Sequence, residues 1–462
     1  MPFLESKTGI NNNLSTSPKR NINRIRRCAR VCEEIVGRLL DAVSQGNPAD
    51  RELAKILRSR KELGARDRRL ISDLTFAVFR WRGWTRMWET GDRERMFLAS
   101  MILEGKTDSP VVEEWARNVK PASNWQEVSG GRSLMEKGRL IGEILGPVNH
   151  VRRPQDLFPD WFFEELPNAR SGAQEENIFL EELLRILQTR PPIWIRFHAR
   201  NARRLLRELQ DEGLDVRPCA RLNTAASIHA RINVNTIACY RRGQFEIQDL
   251  SSQAVAWVCS PQAQETWWDV CAGGGGKALH LADLMKGRGE VWASDVRAPA
   301  LAEVRRRAKK CGLKNIVTQL LQQGPQGLKC KPDGAGGQKG FDGVLVDAPC
   351  SGMGTWRRNP DARWRAQPDD IARWSQKQGE LLNDCADRVR PGGTLVYSVC
   401  SITHAETLRV VDAFLQSHPA FTLSPIRHPL TDKPTQGTVW IWPQMENSDA
   451  MFIARFQKET FA

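Results

Sequence analysis

Apolar positions along the chain fall into three successive patterns, and each predicts a different kind of structure. From about residue 25 to about 150 they recur at three- and four-residue spacing, as across Ala29–Val43, so this stretch reads as helices with one buried face each. Asn47-Pro48-Ala49-Asp50 supplies turn and cap chemistry before the next periodic run. A third helix is expected over Asp67–Trp81, with Leu70, Leu74, Ala77 and Val78 as its buried stripe. Beyond about residue 155 the period changes. Phe158–Trp161 reads as a turn, Ile178–Leu187 as a helix and Pro192–Phe197 as a strand. A helix over Ala202–Glu212, a turn at Gly213 and a strand over Ile228–Val234 complete a small α/β module.

From about residue 251 short apolar strands alternate with amphipathic helices. The strands are Thr266–Val270, Glu290–Ser294, Gly343–Val346 and Thr394–Ser398, each running into a loop rich in Gly, Pro, Asp or Cys. That alternation predicts an α/β fold with a doubly wound, Rossmann-like parallel sheet, whose ligands lie beyond the carboxyl ends of the strands. Gly324–Gly340 interrupts it as a mobile surface loop. The expected organisation is a basic tail (1–24), a helical domain (25–150), a small α/β module (151–250) and a Rossmann-like domain (251–462).

Composition narrows the partners. The polar, basic start lacks the apolar stretch of a secretory signal, and no window reaches the roughly 18 apolar residues that span a bilayer. A cytoplasmic protein acting away from membranes, as a monomer, is the default expectation. The formal charge of +14 attracts polyanions, and phosphate backbones are the usual target. Candidate phosphate contacts are the cluster Arg66, Arg68, Arg69, Arg80 and Arg82, together with Arg196, Arg203 and Arg204; solvated surface charge explains any single one equally well. The eleven cysteines have no disulfide-framework spacing, and Cys28 and Cys32 lack a second pair to complete a zinc site. No metal is expected, and most of the thiols read as reduced and buried filler.

Three segments carry chemistry. In Asp269-Val-Cys271-Ala272-Gly273-Gly274-Gly275-Gly276-Lys277 a strand runs through four glycines into a helix, a shape that permits close backbone approach by a cofactor. Dinucleotide enzymes use such a loop too, and so does a plain tight turn. The next strand ends in Asp295, placed to take the ribose hydroxyls of a nucleoside or to cap a helix. A third strand ends in Asp347, closely followed by Pro349-Cys350, and a fourth delivers Cys400. Both thiols therefore sit on the rim where a cofactor lies. Carbon 5 of cytosine needs such a thiol: a low-pKa cysteine adding to carbon 6 makes carbon 5 electron-rich enough to take a methyl group. An acid near ring nitrogen 3 and room for a splayed-out base complete the requirement.

These segments resemble the RsmB-type RNA cytosine-C5 methyltransferases, and the resemblance covers nearly the whole chain. The family's Asp-x-Cys-Ala-Ala-Pro-Gly-Gly-Lys-Thr is matched at Asp269, Cys271, Ala272, Gly275, Gly276 and Lys277. Its Asp-Ala-Pro-Cys-Ser-Gly is intact at Asp347–Gly352, and its Tyr-Ser-Thr-Cys-Ser is similar to Tyr397–Ser401, with Glu406 as the downstream acid. Gln248–Gln253, Trp442-Pro443, Asp449 and Phe452–Ala454 also match. The resemblance implies S-adenosylmethionine as cofactor, Cys400 as nucleophile, Cys350 as the group assisting product release, and Asp347 in contact with the cytosine. DNA enzymes of related chemistry use a Pro-Cys nucleophile, so Cys350 is the alternative. The front region resembles a NusB-like RNA-binding domain and the middle an RNA-recognition-like module, which implies small-subunit ribosomal RNA as partner.

The chain departs from the family at Gly273-Gly274, Ala278 and Val399, and Val317–Gly324 lacks the family's third-strand Asp. Replacing Ala-Pro by Gly-Gly is expected to loosen the cofactor loop. A catalytically impaired RNA-binding assembly factor is therefore the rival reading. Most of the 16 tryptophans read as core; Trp356 and Trp364, with Arg357, Arg358 and Arg363, are expected to line an RNA groove.

Overall fold

The computed structural model describes residues 18–122, 125–129, 132–146, 152–167, 174–198, 201–229, 232–324, 327–329 and 340–460. They belong to two compact units, 1–157 and 158–462. Most of the expected basic tail lies outside the described residues, as do 325–326 and 330–339 of the Gly324–Gly340 interruption. No helix among the described residues is long and apolar enough to cross a membrane.

The first unit is helical, with its main helices at Pro18–Ser44, Ala49–Ser59, Ala65–Thr85, Arg93–Leu103, Pro110–Val119 and Leu134–Leu145. Side-chain caps start three of them: Asp92 accepts from the Arg95 N–H, Ser109 from Val111, and Ser133 from Glu136. The third helix buries Leu74, Ala77 and Val78 as expected, while Leu70 is only half-buried and Ile71 takes the interior position. Its arginines do not form one charged face. Arg80 is buried against Glu104 at 3.3 Å, Arg82 pairs with Glu89 at 3.0 Å, and Arg68 donates to the carbonyls of Leu63 and Arg60 at 2.9 and 2.7 Å. Of that cluster, Arg66 and Arg69 are exposed.

The second unit holds two sheets. In the smaller, β1 (Ile193–Phe197), β2 (Val216–Pro218), β3 (Ala225–Ile228) and β4 (Phe245–Ile247) lie antiparallel in the order β2-β3-β1-β4. The strand expected over Ile228–Val234 ends at Ile228. Asn233 accepts from the Asn235 N–H, an Asx turn that opens a 3-10 turn at Val234–Thr236. Arg196 is no phosphate contact: it is fully buried, donating to Gln248 Oε1 at 2.9 Å and pairing with Asp283 at 3.2 Å. Arg203 and Arg204 are exposed.

The larger sheet contains β5 (Thr266–Asp269), β6 (Glu290–Asp295) and β7 (Ile316–Leu320). A two-stranded ribbon, β8 (Gln322–Gly324) with β9 (Gly327–Lys329), precedes β10 (Phe341–Asp347) and β11 (Val389–Val399). Then come β12 (Phe421–Leu423), the pair β13 (Ile426–Arg427) and β14 (Pro434–Thr435), β15 (Thr438–Ile441) and β16 (Met451–Lys458). The order is β12-β16-β11-β10-β5-β6-β7, with β15 also on β16; β5, β6, β7, β10 and β11 run parallel and β16 antiparallel. This is the expected doubly wound sheet, and its order reverses between β5 and β10. Ligands bind in the crevice outside such a reversal, so the loops after Asp269 and Asp347 face the site.

Alternation along each strand fills both faces. Trp267, Ala293, Leu345, Val396 and Ile453 pack on one side, and Trp268, Val344, Val346, Tyr397 and Phe452 on the other. Gly343 lies opposite Trp267 in the β10–β5 register, and a Cβ there would fall 2.3 Å from the indole. Gly343→Ala should therefore lower stability by about 1–3 kcal/mol, the cost of overpacking. Urea denaturation checks this, and an unchanged midpoint contradicts it.

Candidate active site

The cofactor side is built from the β5–helix and β6 turns. Gly275, at φ +86°, precedes the Gly276–Leu284 helix, and a Cβ there would lie 2.7 Å from Leu279 Cδ1 and 3.0 Å from Val304 Cγ2, so only glycine fits. Gly273 also takes a left-handed φ of +53°. Glycine in place of the family's alanine thus suits the backbone that the loop adopts. The loop is further held by Asp295 accepting from the Gly273 N–H at 2.9 Å and by Arg307 donating to the Gly274 carbonyl at 2.5 Å. The loop is thus tied to neighbouring elements at both of these glycines.

Asp295 ends β6 almost wholly buried, accepting from the Arg297 N–H at 2.8 Å and its Nε at 3.0 Å. Burial opposes its charge, yet the bonds from Arg297 and Gly273 outweigh it and hold the carboxyl below the usual range. Asp269, at the end of β5, is completely buried with neither oxygen hydrogen-bonded; burial first, then the charge of Asp347, pushes it up to about 8. Burial likewise raises the thiol of Cys271, which is half-buried, and Ala272 is buried beside it. The apolar Val296 and Leu320 are exposed at the ends of β6 and β7. A glycine cradle, a low carboxylate beside it and a second, unpartnered carboxyl below are donors and acceptors that fit S-adenosylmethionine. Asp295 could take its hydroxyls and the loop its backbone-facing edge.

On the other side of the switch point the two thiols meet. Parallel strands β10 and β11 bring Cys350 and Cys400 to an Sγ–Sγ distance of 3.3 Å, both half-buried. The bond to Cys400, reinforced by burial, raises the Cys350 thiol well above its ordinary value. One thiol therefore donates to the other across this gap. Lys277 reaches across from the glycine loop to pair with Asp347 Oδ2 at 2.7 Å, while Ser398 donates to Oδ1 at 2.8 Å. Burial works against the Lys277 ammonium, but Asp347, followed by Cys400 and Asp269, outweighs it and raises its pKa. Lys277 belongs to the thiol cluster as much as to the cofactor loop, a placement that sequence reasoning missed.

Beneath the thiols lies Glu406, fully buried. It accepts from the Ser351 N–H at 2.8 Å, the Ser351 hydroxyl at 2.6 Å, the Ser401 hydroxyl at 2.5 Å, the Thr403 hydroxyl at 3.1 Å and Gln378 Nε2 at 3.1 Å. Gln378 also donates to the Pro349 carbonyl at 3.0 Å, and the Tyr397 hydroxyl donates to the Glu406 carbonyl at 2.6 Å. One carboxylate thus ties the residue after Cys350 to the residue after Cys400. The motif match had singled out Glu406 without a role; the hydroxyls flanking each cysteine were the available signal.

The expected groove beyond Cys350 is largely core. Trp356 is fully buried against Phe158 and Phe162, with ring centroids 6.5 and 5.4 Å away. Arg357 is buried and bonded to the Ser448 carbonyl, the Thr189 hydroxyl and Asn447; Arg363 is buried against the Leu187 carbonyl and the Phe158 ring. Arg358 is 40% exposed but paired with Asp249 and Asp449 at 2.9 and 3.1 Å, and Trp364 is half-buried.

Comparisons with known proteins agree with this geometry. The family model described as 16S rRNA methyltransferase RsmB/F matches residues 256–457. The probable ribosomal RNA small subunit methyltransferase B of Bacillus subtilis (strain 168) is 33% identical over 339 residues, covering 71% of this chain and 72% of the relative. Ribosomal RNA small subunit methyltransferase B of Salmonella newport is 31% identical over 362 residues, covering 74% and 79%. Among solved structures, that of PH0851 superposes with a TM-score of 0.68 at 24% identity, covering 92% of this chain and 98% of the other. NSun6 from Pyrococcus horikoshii, solved with SFG, gives 0.54 at 18% identity, covering 66% and 99%. Both structural likenesses show the fold.

Asp269 makes the site's stability pH-dependent. A carboxyl raised on folding binds its proton more tightly in the native state, so its contribution is lost as pH rises towards about 8. Thermal melts from about pH 6 to about pH 9 should show Asp269→Asn losing less stability than the wild type over that range. Parallel losses would contradict the assignment.

Proposed function

Because the chain belongs to the RsmB/F family of 16S rRNA methyltransferases, we propose that it methylates carbon 5 of a cytosine in small-subunit ribosomal RNA through a covalent adduct on Cys400. The observation that carries this reading is the thiol pair: a sulfur 3.3 Å from a second thiol, with the Lys277 ammonium nearby. An ammonium and an S–H donor are what a cysteine needs to react as its thiolate.

S-adenosylmethionine, when bound, supplies an electrophilic methyl group on a sulfonium centre. The residues that would hold it are Asp295 and the loop Cys271, Ala272, Gly273, Gly274, Gly275 and Gly276, with Asp269 beneath. Asp347, its oxygens fixed by Lys277 and Ser398, contacts the cytosine. Cys400 adds as thiolate to carbon 6; the C5–C6 double bond opens and its electron pair moves to carbon 5, which takes the methyl group. Loss of the C5 proton and expulsion of the thiolate then restore the double bond. Cys350 is suited to that second half. Once Cys400 is bonded to carbon it no longer holds the Cys350 proton, so the largest cause of the raised Cys350 pKa disappears. Cys350 can then release its proton to water and accept the one leaving carbon 5.

The rival, an assembly factor without turnover, rested on the Gly273-Gly274 loop, which is held at both residues by Asp295 and Arg307. The helical first unit, NusB-like by its sequence, is read as an RNA-binding domain on which Arg66 and Arg69 stand exposed.

The two thiols should part company on mutation. Cys400→Ala should abolish both methylation, read by bisulfite conversion, and any covalent adduct. Cys350→Ala should accumulate a protein–RNA conjugate that resists denaturing gel electrophoresis. The reverse pattern would overturn the role assignment.

A further inference from the structure

The reaction leaves a second basic cavity unused. It has a volume of about 310 Å³ and lies within the second unit, beneath the Leu250–Cys259 helix, the β12–β13 loop and the turn at Arg221. At the start of that helix Asp249 pairs with Arg358, in the loop after Cys350, whereas Trp257 and Ser260 near its end line the cavity. A rise of about 1.5 Å per residue puts the cavity roughly 12 Å further along the helix from that pair.

Three arginines face it, Arg221, Arg427 and Arg455, and no acidic residue is among those lining it. Arg427 is engaged by Asp432 through exposed bonds of 2.6 and 3.0 Å. Arg455 is different. It projects from β16 opposite Val396, on the sheet face that the helix covers. Its Nε is buried with no hydrogen-bond partner, and among the described residues no carboxylate pairs with it. Trp257 Nε1 is buried and unpartnered in the same way. What the cavity offers is therefore the charge of its arginines, with Arg455 not neutralised by a carboxylate. Asp432 answers Arg427 and lies within electrostatic reach of Arg221, and the remaining positive charge in the lining suits an anion. The other walls are Ile426, Pro429 and the Trp257 ring, an apolar lining that a bare anion does not need but the sugar or base of a nucleotide does.

We infer that this cavity is an RNA subsite that takes a phosphodiester of the substrate at a nucleotide other than the one methylated, with Arg455, Arg427 and Arg221 supplying its charge and the Trp257 ring its apolar wall. The inference rests on the reading of the protein as an RNA methyltransferase. It gives the small α/β module, which contributes Arg221, a direct part in binding RNA.

The test is titration of a fluorescent small-subunit rRNA fragment into the full chain at several KCl concentrations. Arg455→Met keeps the apolar stem and removes the charge; the double variant Arg221→Ala/Arg427→Ala alters only exposed side chains and decides the matter if Arg455→Met fails to fold. Each should weaken binding about three- to tenfold and reduce the slope of log K against log salt by about one for the phosphate lost. Wild-type affinity and slope in the folded variants would overturn the subsite. Adenosine monophosphate should compete for the cavity better than inorganic phosphate; equal competition would overturn its assignment to a nucleotide. Bisulfite conversion of the same RNA reads the reaction separately, so absent methylation with an altered salt slope would fault the reaction and leave the subsite standing. No RNA binding by the wild type would sink both.

Discussion

A buried carboxylate with five donors around it fixes everything that the thiols do. Glu406 accepts from groups on the loop after β10, the loop after β11 and the intervening helix, so neither cysteine loop can shift without breaking bonds to a charge that has no water to turn to. Such a charge is tolerable inside a protein only when its hydrogen bonds are complete, and breaking one is costly because the remainder stays desolvated. The parallel register of β10 and β11 brings the two sulfurs to the same edge, and Glu406 sets their separation at 3.3 Å. That spacing allows one thiol to hold a proton for the other.

The same economy links the thiols to the cofactor loop. Lys277 leaves the glycine turn and binds Asp347, so the segment shaped for the cofactor also neutralises the acid beside the reacting ring. Asp295 is held low by Arg297 and Gly273, whereas Asp269 is pushed up by burial to about 8. Two acids on neighbouring strands thereby shift in opposite directions, because hydrogen bonds outweigh burial at one while burial, then the charge of Asp347, dominates at the other.

What could be read in the sequence was whatever is local. The alternation of strands and helices announced the doubly wound sheet, and the motifs at Gly273–Gly276, Asp347–Cys350 and Cys400 are contiguous, so their residue types alone put them on one rim. Glu406 and Gln378 act through contacts across long stretches of chain, and spacing does not display such bonds. Burial was the other blind spot. Arg196, a candidate phosphate contact, and Arg357 and Arg363, expected to line an RNA groove, are instead buried and bonded to carboxylate, amide, hydroxyl and carbonyl groups inside the protein. Conversely Arg455, an unremarked residue in an apolar strand, lines a cavity with no carboxylate paired to it among the described residues. The strand expected to run to Val234 ends at Ile228, and an Asx turn at Asn233 opens a 3-10 turn where that strand was expected to finish.

The central claim is that the sulfur of Cys400 bonds to carbon 6 of the target base, and one measurement reaches it directly. Substrate RNA carrying 5-fluorocytidine has no proton to lose from carbon 5 after methyl transfer, so the adduct cannot resolve. Peptide mass spectrometry of the trapped complex should find the methylated, fluorinated nucleotide on the peptide containing Cys400. The same mass on the peptide containing Cys350, or methyl transfer with no trapped species at all, would contradict the account.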